Sequence, residues 1–440
     1  MFFRFGPAPG KNVPHSTRRF ALLSRTSVLI ATGLLSISAL GADQRLPLTI
    51  TEAEDLALRN EPGFHALQAR ANALREQSVS SGQLPDPSLR LGLANFPISG
   101  GGFSTEGMTQ AQLGIRQAIP RGRLRSMSTA QYRALANVQS SGANARNQDV
   151  LEAARSAWLE SFYWQRAEQE LSESRPLFED LLQVTQSLYA VGRKSQSDVL
   201  RAELELRRLD DRLIEASRAR SSAQGILSEW LGQDAFRSTA NKLPGWEQLP
   251  PRDDLLESLA TNPALQAATA TIEARQASVG IAEEKGKPSW ALDLGYGYRD
   301  GNLPNGEPRS DFVSLSVVVD LPMFKKNRQD RDLAAALSSR SAAVSDRERV
   351  TARLQSQLNI EYTRWANLTR RLHLYESDIL ALSENQAEAA MLAYQSDAGD
   401  FLDAIASQID HLNTRLDHIR IQVERDQSYA RLANLGGIPR

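Results

Sequence analysis

The stretch Leu188-Tyr189-Ala190-Val191-Gly192-Arg193-Lys194-Ser195-Gln196-Ser197-Asp198-Val199-Leu200 decides how this chain folds. It interrupts a long helical pattern with one Gly and short polar residues, after which the pattern resumes. Gly192 supplies the left-handed backbone that a helix end needs, and Ser195 can cap the helix that follows. The stretch therefore predicts the tip of a helical hairpin. A second such stretch runs Ala393-Tyr394-Gln395-Ser396-Asp397-Ala398-Gly399-Asp400-Phe401-Leu402-Asp403. It too opens on a Tyr, holds a Gly and places an Asp nine residues after the Tyr.

Other landmarks repeat at nearly the same lag. Pro62 is echoed by Pro263 and Pro87 by Pro288, 201 residues on. Pro120 and Pro322 lie 202 apart, Tyr189 and Tyr394 205, and Leu231-Gly232 and Leu435-Gly436 204. Such a steady lag predicts an internal duplication, with one repeat over 46–232, a connecting segment over 233–250 and a second repeat over 251–437.

Within each repeat the period switches from helical to two. Leu89, Leu91 and Leu93 alternate with Arg90, Gly92 and Ala94, and Ala111, Leu113 and Ile115 with Gln112, Gly114 and Arg116, predicting a hairpin over about 88–118. The second repeat predicts its hairpin over about 289–321, where Trp290, Leu292, Leu294, Tyr296 and Tyr298 alternate with Ala291, Asp293, Gly295, Gly297 and Arg299, and Val313, Leu315, Val317, Val319 and Leu321 with Ser314, Ser316, Val318 and Asp320. From Leu124 to Tyr189 only Pro176 interrupts a helical composition, which implies a helix on the order of 100 Å long. Its return helix carries Val199, Ala202, Leu206, Leu209, Leu213 and Ala216 at coiled-coil spacing. The corresponding seams of the second repeat are Trp365, Leu368, Leu372, Tyr375, Ile379 and Leu382, and Leu402, Ile405, Ile409, Leu412, Leu416, Ile419 and Val423. The tips are expected at 189–198 and 394–403.

The 440 residues carry a net charge of −1, which gives no general attraction to nucleic acid. There is no cysteine, so disulfides, thiolate chemistry and a lipidated cysteine are excluded. Arg18, Arg19 and Arg25 precede the apolar run Val28–Leu35, and Ala39-Leu40-Gly41 offers a cleavage site. Residues 1–41 thus read as an export signal, with no helical membrane anchor after it.

Strands of about nine residues with one apolar face fit a membrane barrel, yet four strands cannot close one. An open edge in lipid leaves backbone groups unpaired, so the pattern requires an oligomer, and three copies give twelve strands. The competing reading is a soluble coiled-coil scaffold with two incidental hairpins. The order of these marks resembles the TolC-like outer-membrane efflux channel family. Leu84-Pro85-Asp86-Pro87, Ile119-Pro120-Arg121-Gly122-Arg123, Asn262-Pro263-Ala264-Leu265, Leu321-Pro322-Met323-Phe324 and the two tips carry the resemblance, which covers nearly all of the chain after the leader.

The resemblance implies a mainly α fold with a membrane β-barrel part. It implies a homotrimer in which a twelve-stranded outer-membrane barrel continues into a helical tunnel across the periplasm. Expected partners are a periplasmic adaptor, an inner-membrane pump of the resistance-nodulation-division class and outer-membrane lipid. The first Leu-Pro-Asp-Pro and Pro-Arg-Gly-Arg elements look most like the subgroup serving heavy-metal efflux, while drug efflux and type I secretion remain alternatives. The gate and adaptor site is expected at Tyr189, Gly192, Arg193, Lys194, Asp198, Tyr394, Asp397, Gly399, Asp400 and Asp403, with the family's acidic ring mapping onto Asp403 and its counterpart Asp198. Because Asp397 stands where the first tip has Gly192, the second turn is expected to differ in shape. Pro120, Arg121, Arg123, Pro322, Lys325 and Lys326 mark the junction of barrel and tube.

No catalytic constellation, cofactor site or metal site is expected. Of five histidines, none pairs at the spacing of a zinc helix. His411 and His418 lie seven apart and read as a helix seam.

Overall fold

The computed structural model describes residues 46–436 and 438; the proposed leader at 1–41 lies outside them. The first repeat begins with two short helices, α1 (Ile50–Arg59) and α2 (Pro62–Ser80). Thr49 caps α1 by accepting from the Glu52 N–H at 3.2 Å. Glu61 caps α2 at Gly63 N–H and is itself 3 % exposed, held by the Arg146 guanidinium at 3.0 Å. Glu61 therefore both caps the helix that Pro62 opens and anchors Arg146. In the second repeat the uncharged Asn262 caps Ala264 at 2.9 Å and donates to the Leu435 carbonyl.

Strands β1 (Ser88–Ala94) and β2 (Gln110–Ile119) follow, then α3 (Leu124–Ala190) and α4 (Gln196–Leu231). After an irregular connection come α5 (Arg252–Ser258) and α6 (Pro263–Glu284), then β3 (Ser289–Tyr298) and β4 (Phe312–Asp320). The chain ends in α7 (Gln329–Leu374), a π-helical turn (Tyr375–Ile379), α8 (Leu380–Gln395) and α9 (Phe401–Leu435). Helix pair, hairpin and long helical hairpin thus occur twice in the same order. The four strands form one antiparallel sheet in the order β1-β2-β3-β4.

Helix α3 runs unbroken for 67 residues although Pro176 lies inside it. Proline there forfeits one backbone hydrogen bond, and packing on both sides keeps the helix continuous. The main core joins α1, α3, α4 and the tip half of α9 through Trp158, Phe162, Leu206, Leu209, Ile405 and Leu416. Trp158 is fully buried and donates to the Leu48 carbonyl at 2.9 Å. The connection between repeats folds back onto this body: Trp246 stacks on Tyr429 at 4.9 Å, and the Arg155 guanidinium lies 5.4 Å from the Trp246 ring centroid.

Two seam positions depart from their expected burial. Leu382 is exposed because the π turn inserts a residue's worth of rotation, about 100°, between Leu372 and α8. Leu402 is exposed because Phe401 takes the inward place against Tyr394.

Helix α9 also buries Asp426 completely, with Arg425 at 2.9 Å and one carboxylate oxygen without a partner. Burial outweighs the attraction of Arg425, and Glu247 adds repulsion, so the carboxyl is pushed up from 3.8 to about 6. The folded state then holds the proton more tightly than the unfolded chain. This contribution is present in full below the ordinary carboxyl range and is lost as pH rises through about 6. Two units correspond to about 3 kcal/mol. Asp426→Asn is expected to raise the melting temperature at pH 7.5 and to flatten its dependence between pH 5 and 7; an unchanged profile contradicts the assignment.

Candidate functional site

The sheet sorts its side chains by face. Register pairs Leu91 with Leu113, Leu113 with Tyr296 and Tyr296 with Val313. One row along, Leu89, Ile115, Leu294 and Leu315 form the same kind of line. Because strand side chains alternate, every one of these apolar residues lies on one face, and all eight are exposed. The opposite face carries Arg90, Gln112, Gly114, Gly295 and Ser314, with Asp293 reached by Arg90 at 3.3 Å and Arg116 at 4.0 Å. Strands β1 and β4 are both unpaired on their outer edges. At the far end, Arg309 ties the two hairpin loops by donating to the carbonyls of Ser104 at 3.2 Å and Asp300 at 3.1 Å.

At the other extreme of each repeat stands a tip, and the two share one backbone motif. In the first, Gly192 has φ +73°, its N–H donates to Tyr189 and the Arg193 N–H to Leu188. In the second, Asp397 has φ +63°, its N–H donates to Tyr394 and the Ala398 N–H to Ala393. These are matching Schellman closures. The expected difference in shape is absent, because Asp is among the few residues that tolerate the left-handed region. Gly399 serves a separate need: a Cβ there would come within 2.9 Å of Ala393 Cβ.

Asp397 also joins the tips. Its carboxylate meets Arg193 Nη2 at 2.9 Å and Lys194 Nζ at 3.3 Å. Lys194, foremost, and Arg193 hold its pKa below the ordinary carboxylate range. Lys194 further donates to the Gly399 carbonyl and lies 4.9 Å above the Tyr394 ring. The charge pairing thus lies within one chain, between its two hairpins.

The remaining tip residues separate. Tyr394 is buried, with its hydroxyl 3.1 Å from Thr185 Oγ1, whereas its counterpart Tyr189 is 46 % exposed. The Asp198 carboxylate accepts from Ser195 N–H at 3.1 Å and Ser195 Oγ at 2.7 Å, so it holds the start of α4. Asp400 sits at the N-terminus of α9, and the exposed Asp403 has no side-chain partner among the described residues. Val191, Leu200, Leu392 and Leu402 form an exposed apolar fringe around the turns.

Where strands meet helices, Glu284 is the organiser that motif reading missed. It is 3 % exposed, accepts from Arg123 N–H at 2.8 Å and pairs with Lys287 at 2.7 Å. Lys287, then the Arg123 N–H, pull its pKa down. An acid at the last position of α6 opposes the helix dipole, and that conflict was the available sequence signal. Arg121 donates to the Lys285 carbonyl at 2.6 Å. Gly122 turns at φ +40°, and a Cβ there would lie 2.0 Å from Glu284 Oε2. Gly122→Ala is expected to cost about 1–3 kcal/mol, visible as a lower melting temperature; equal stability would show the turn to be permissive. Pro120 precedes this turn and Pro322 its second-repeat counterpart, where Lys325, Lys326 and Arg328 are exposed and form no ion pair among the described residues.

His411 lies 3.0 Å from Ser383 Oγ and His418 3.4 Å from Glu376, each on the α9 seam. No group of acidic or His side chains among the described residues is arranged to hold a metal ion. No described helix is long and apolar enough to cross a membrane.

A family model described as outer membrane efflux protein matches residues 255–437, the second repeat. No curated protein matches the chain by sequence. Among solved structures, CusC, studied for folding and transmembrane channel formation, superposes with a TM-score of 0.75 at 14 % identity, covering 88 % of this chain and 92 % of that one. The outer membrane protein VceC from Vibrio cholerae gives 0.73 at 16 % identity, with 88 % and 96 % covered. The CmeC outer membrane channel of Campylobacter jejuni gives 0.73 at 14 %, with 88 % and 85 % covered. These likenesses extend the shared fold across both repeats. With its duplicated strand and helix hairpins the chain has the TolC-like fold, and its residues 255–437 are similar to the outer membrane efflux protein family.

Proposed function

We propose that the protein is a passive export duct of the outer membrane, built from three copies whose β4 and β1 edges pair in turn to close a twelve-stranded barrel. The observation that carries this reading is the sheet, with its continuous apolar face, polar reverse and two free edges. In lipid each unpaired backbone group costs several kcal/mol, so the edges need partners of the same kind. Residues 1–41 act as the export signal, 46–232 and 251–437 as the two repeats, and 233–250 as the belt between them. The long helical hairpins form a periplasmic tube, and the tips form its inner mouth and the landing site for an adaptor and its inner-membrane pump. The exposed fringe of Val191, Leu200, Leu392 and Leu402 supports that docking role.

The cargo we favour is heavy-metal cations, passed on from a pump of the resistance-nodulation-division class. The likeness to CusC supports the subgroup, although the fold is shared by channels at similar distance. Asp403, exposed and without a side-chain partner, would form a ring of three carboxylates that favours cations. Purification as an outer-membrane trimer that conducts ions in planar bilayers tests the duct, and a soluble periplasmic monomer would overturn it in favour of a coiled-coil scaffold. Deletion scored on metals, drugs and secreted proteins together tests the cargo. Sensitivity to drugs alone, or loss of a secreted protein alone, rejects the metal assignment.

A further inference from the structure

The two strand-to-helix junctions differ in length. Three residues separate Pro120 from Leu124 at the head of α3, whereas six separate Pro322 from Gln329 at the head of α7. From there on the helical runs 124–190 and 329–395 are equally long. The extra length therefore sits wholly in the segment Met323-Phe324-Lys325-Lys326-Asn327-Arg328.

That segment is built unlike its counterpart. In the first repeat, Arg121, Arg123 and Arg125 turn inward to the Lys285 carbonyl, Glu284 and the Gly82 carbonyl. In the second, Met323 is 76 % and Phe324 80 % exposed, and Leu321 just before them is also exposed. Lys325, Lys326 and Arg328 follow at once, and none forms an ion pair among the described residues. The segment continues directly from β4, at the helical end of the apolar sheet face. Bulky apolar side chains next to free cations, at the rim of such a face, match the layering of a membrane interface: acyl region first, phosphates beyond it.

We propose that Met323–Arg328 is an anionic-phospholipid anchor, in which Met323 and Phe324 enter the acyl margin of the periplasm-facing leaflet and Lys325, Lys326 and Arg328 bind headgroup phosphates. Three subunits then present nine cations in a collar around the base of the barrel. The inference rests on the barrel reading above, and the test separates the two.

The full-length protein is reconstituted into vesicles of phosphatidylcholine alone and of phosphatidylcholine with phosphatidylglycerol, and the melting temperature of the oligomer is measured in each. Phosphatidylglycerol is expected to raise it, and high salt to remove the rise. The triple variant Lys325→Gln, Lys326→Gln, Arg328→Gln should insert and melt normally in phosphatidylcholine yet lose the rise. An equal rise in the variant overturns the anchor while leaving the barrel intact. Failure of the wild-type chain to enter any vesicle overturns both. Inorganic phosphate added to detergent-solubilised protein should not reproduce the rise; if it does, the cations form a site for free anions rather than a lipid contact. Because the chain lacks cysteine, Phe324→Cys carries a unique fluorescent label. Quenching of that label by lipids brominated on the acyl chain is expected, and its absence would place residue 324 against a neighbouring subunit and overturn the proposal.

Discussion

Leu294→Arg is expected to eliminate the protein from the outer-membrane fraction. Leu294 lies at the middle of β3, paired with Ile115 on one side and Leu315 on the other, and all three are exposed on the apolar face. An arginine facing lipid near the midplane costs about 2–4 kcal/mol. The proposed trimer would carry the change three times, so the total would rival the stability of an ordinary domain. Ser314→Arg makes the matched comparison. Ser314 lies next to Gly295 on the other face, which a barrel turns toward its water-filled interior. That variant should assemble and change only conductance. If both variants fractionate like wild type, the apolar face does not meet lipid and the scaffold reading gains. The same logic applies to Val317, which shares a row with Leu292.

The second large effect is expected at the tip, and Asp397→Gly isolates it. Glycine keeps the left-handed backbone at φ +63° without strain while deleting the carboxylate that binds Arg193 and Lys194. The variant should fold at least as well as the parent, yet its resting conductance in planar bilayers should rise. Exposed ion pairs are weak singly, but in the proposed trimer the two contacts of each subunit would bias one shared closed state. Arg193→Asp should leak in the same way, and combining it with Asp397→Arg should restore part of the closure. Unchanged conductance in Asp397→Gly would reduce the tips to turns. The pH dependence has a definite sign. Asp397 is held below the ordinary carboxylate range, so the tie is complete at neutral pH and weakens only as acidity approaches that depressed range.

The features that sequence revealed are those written in short-range periodicity. Alternation located all four strands, and Gly192 marked a left-handed turn. The corrections arose where a tertiary neighbour decided the outcome. Asp397 in the left-handed position looks like a departure until Arg193 and Lys194, some 200 residues away in sequence, are seen to hold it. Asp198 read as the twin of Asp403, yet one carboxylate closes a capping interaction and the other faces outward. Tyr189 and Tyr394 occupy equivalent places in the repeat and opposite environments in space. Glu284 and Arg309 belong to no motif, and their roles exist only once helix and sheet, or loop and loop, have met.

The two unpaired sheet edges carry a genetic consequence. If β4 of each subunit must find β1 of the next, no copy can complete itself, and one defective edge spoils the two sound subunits assembled with it. A variant with a proline in the middle of β4 and an intact helical body should therefore act dominantly. Expressed equally with wild type, it would leave roughly one trimer in eight wholly intact if subunits mix at random. A deletion of the whole chain, by contrast, should be recessive.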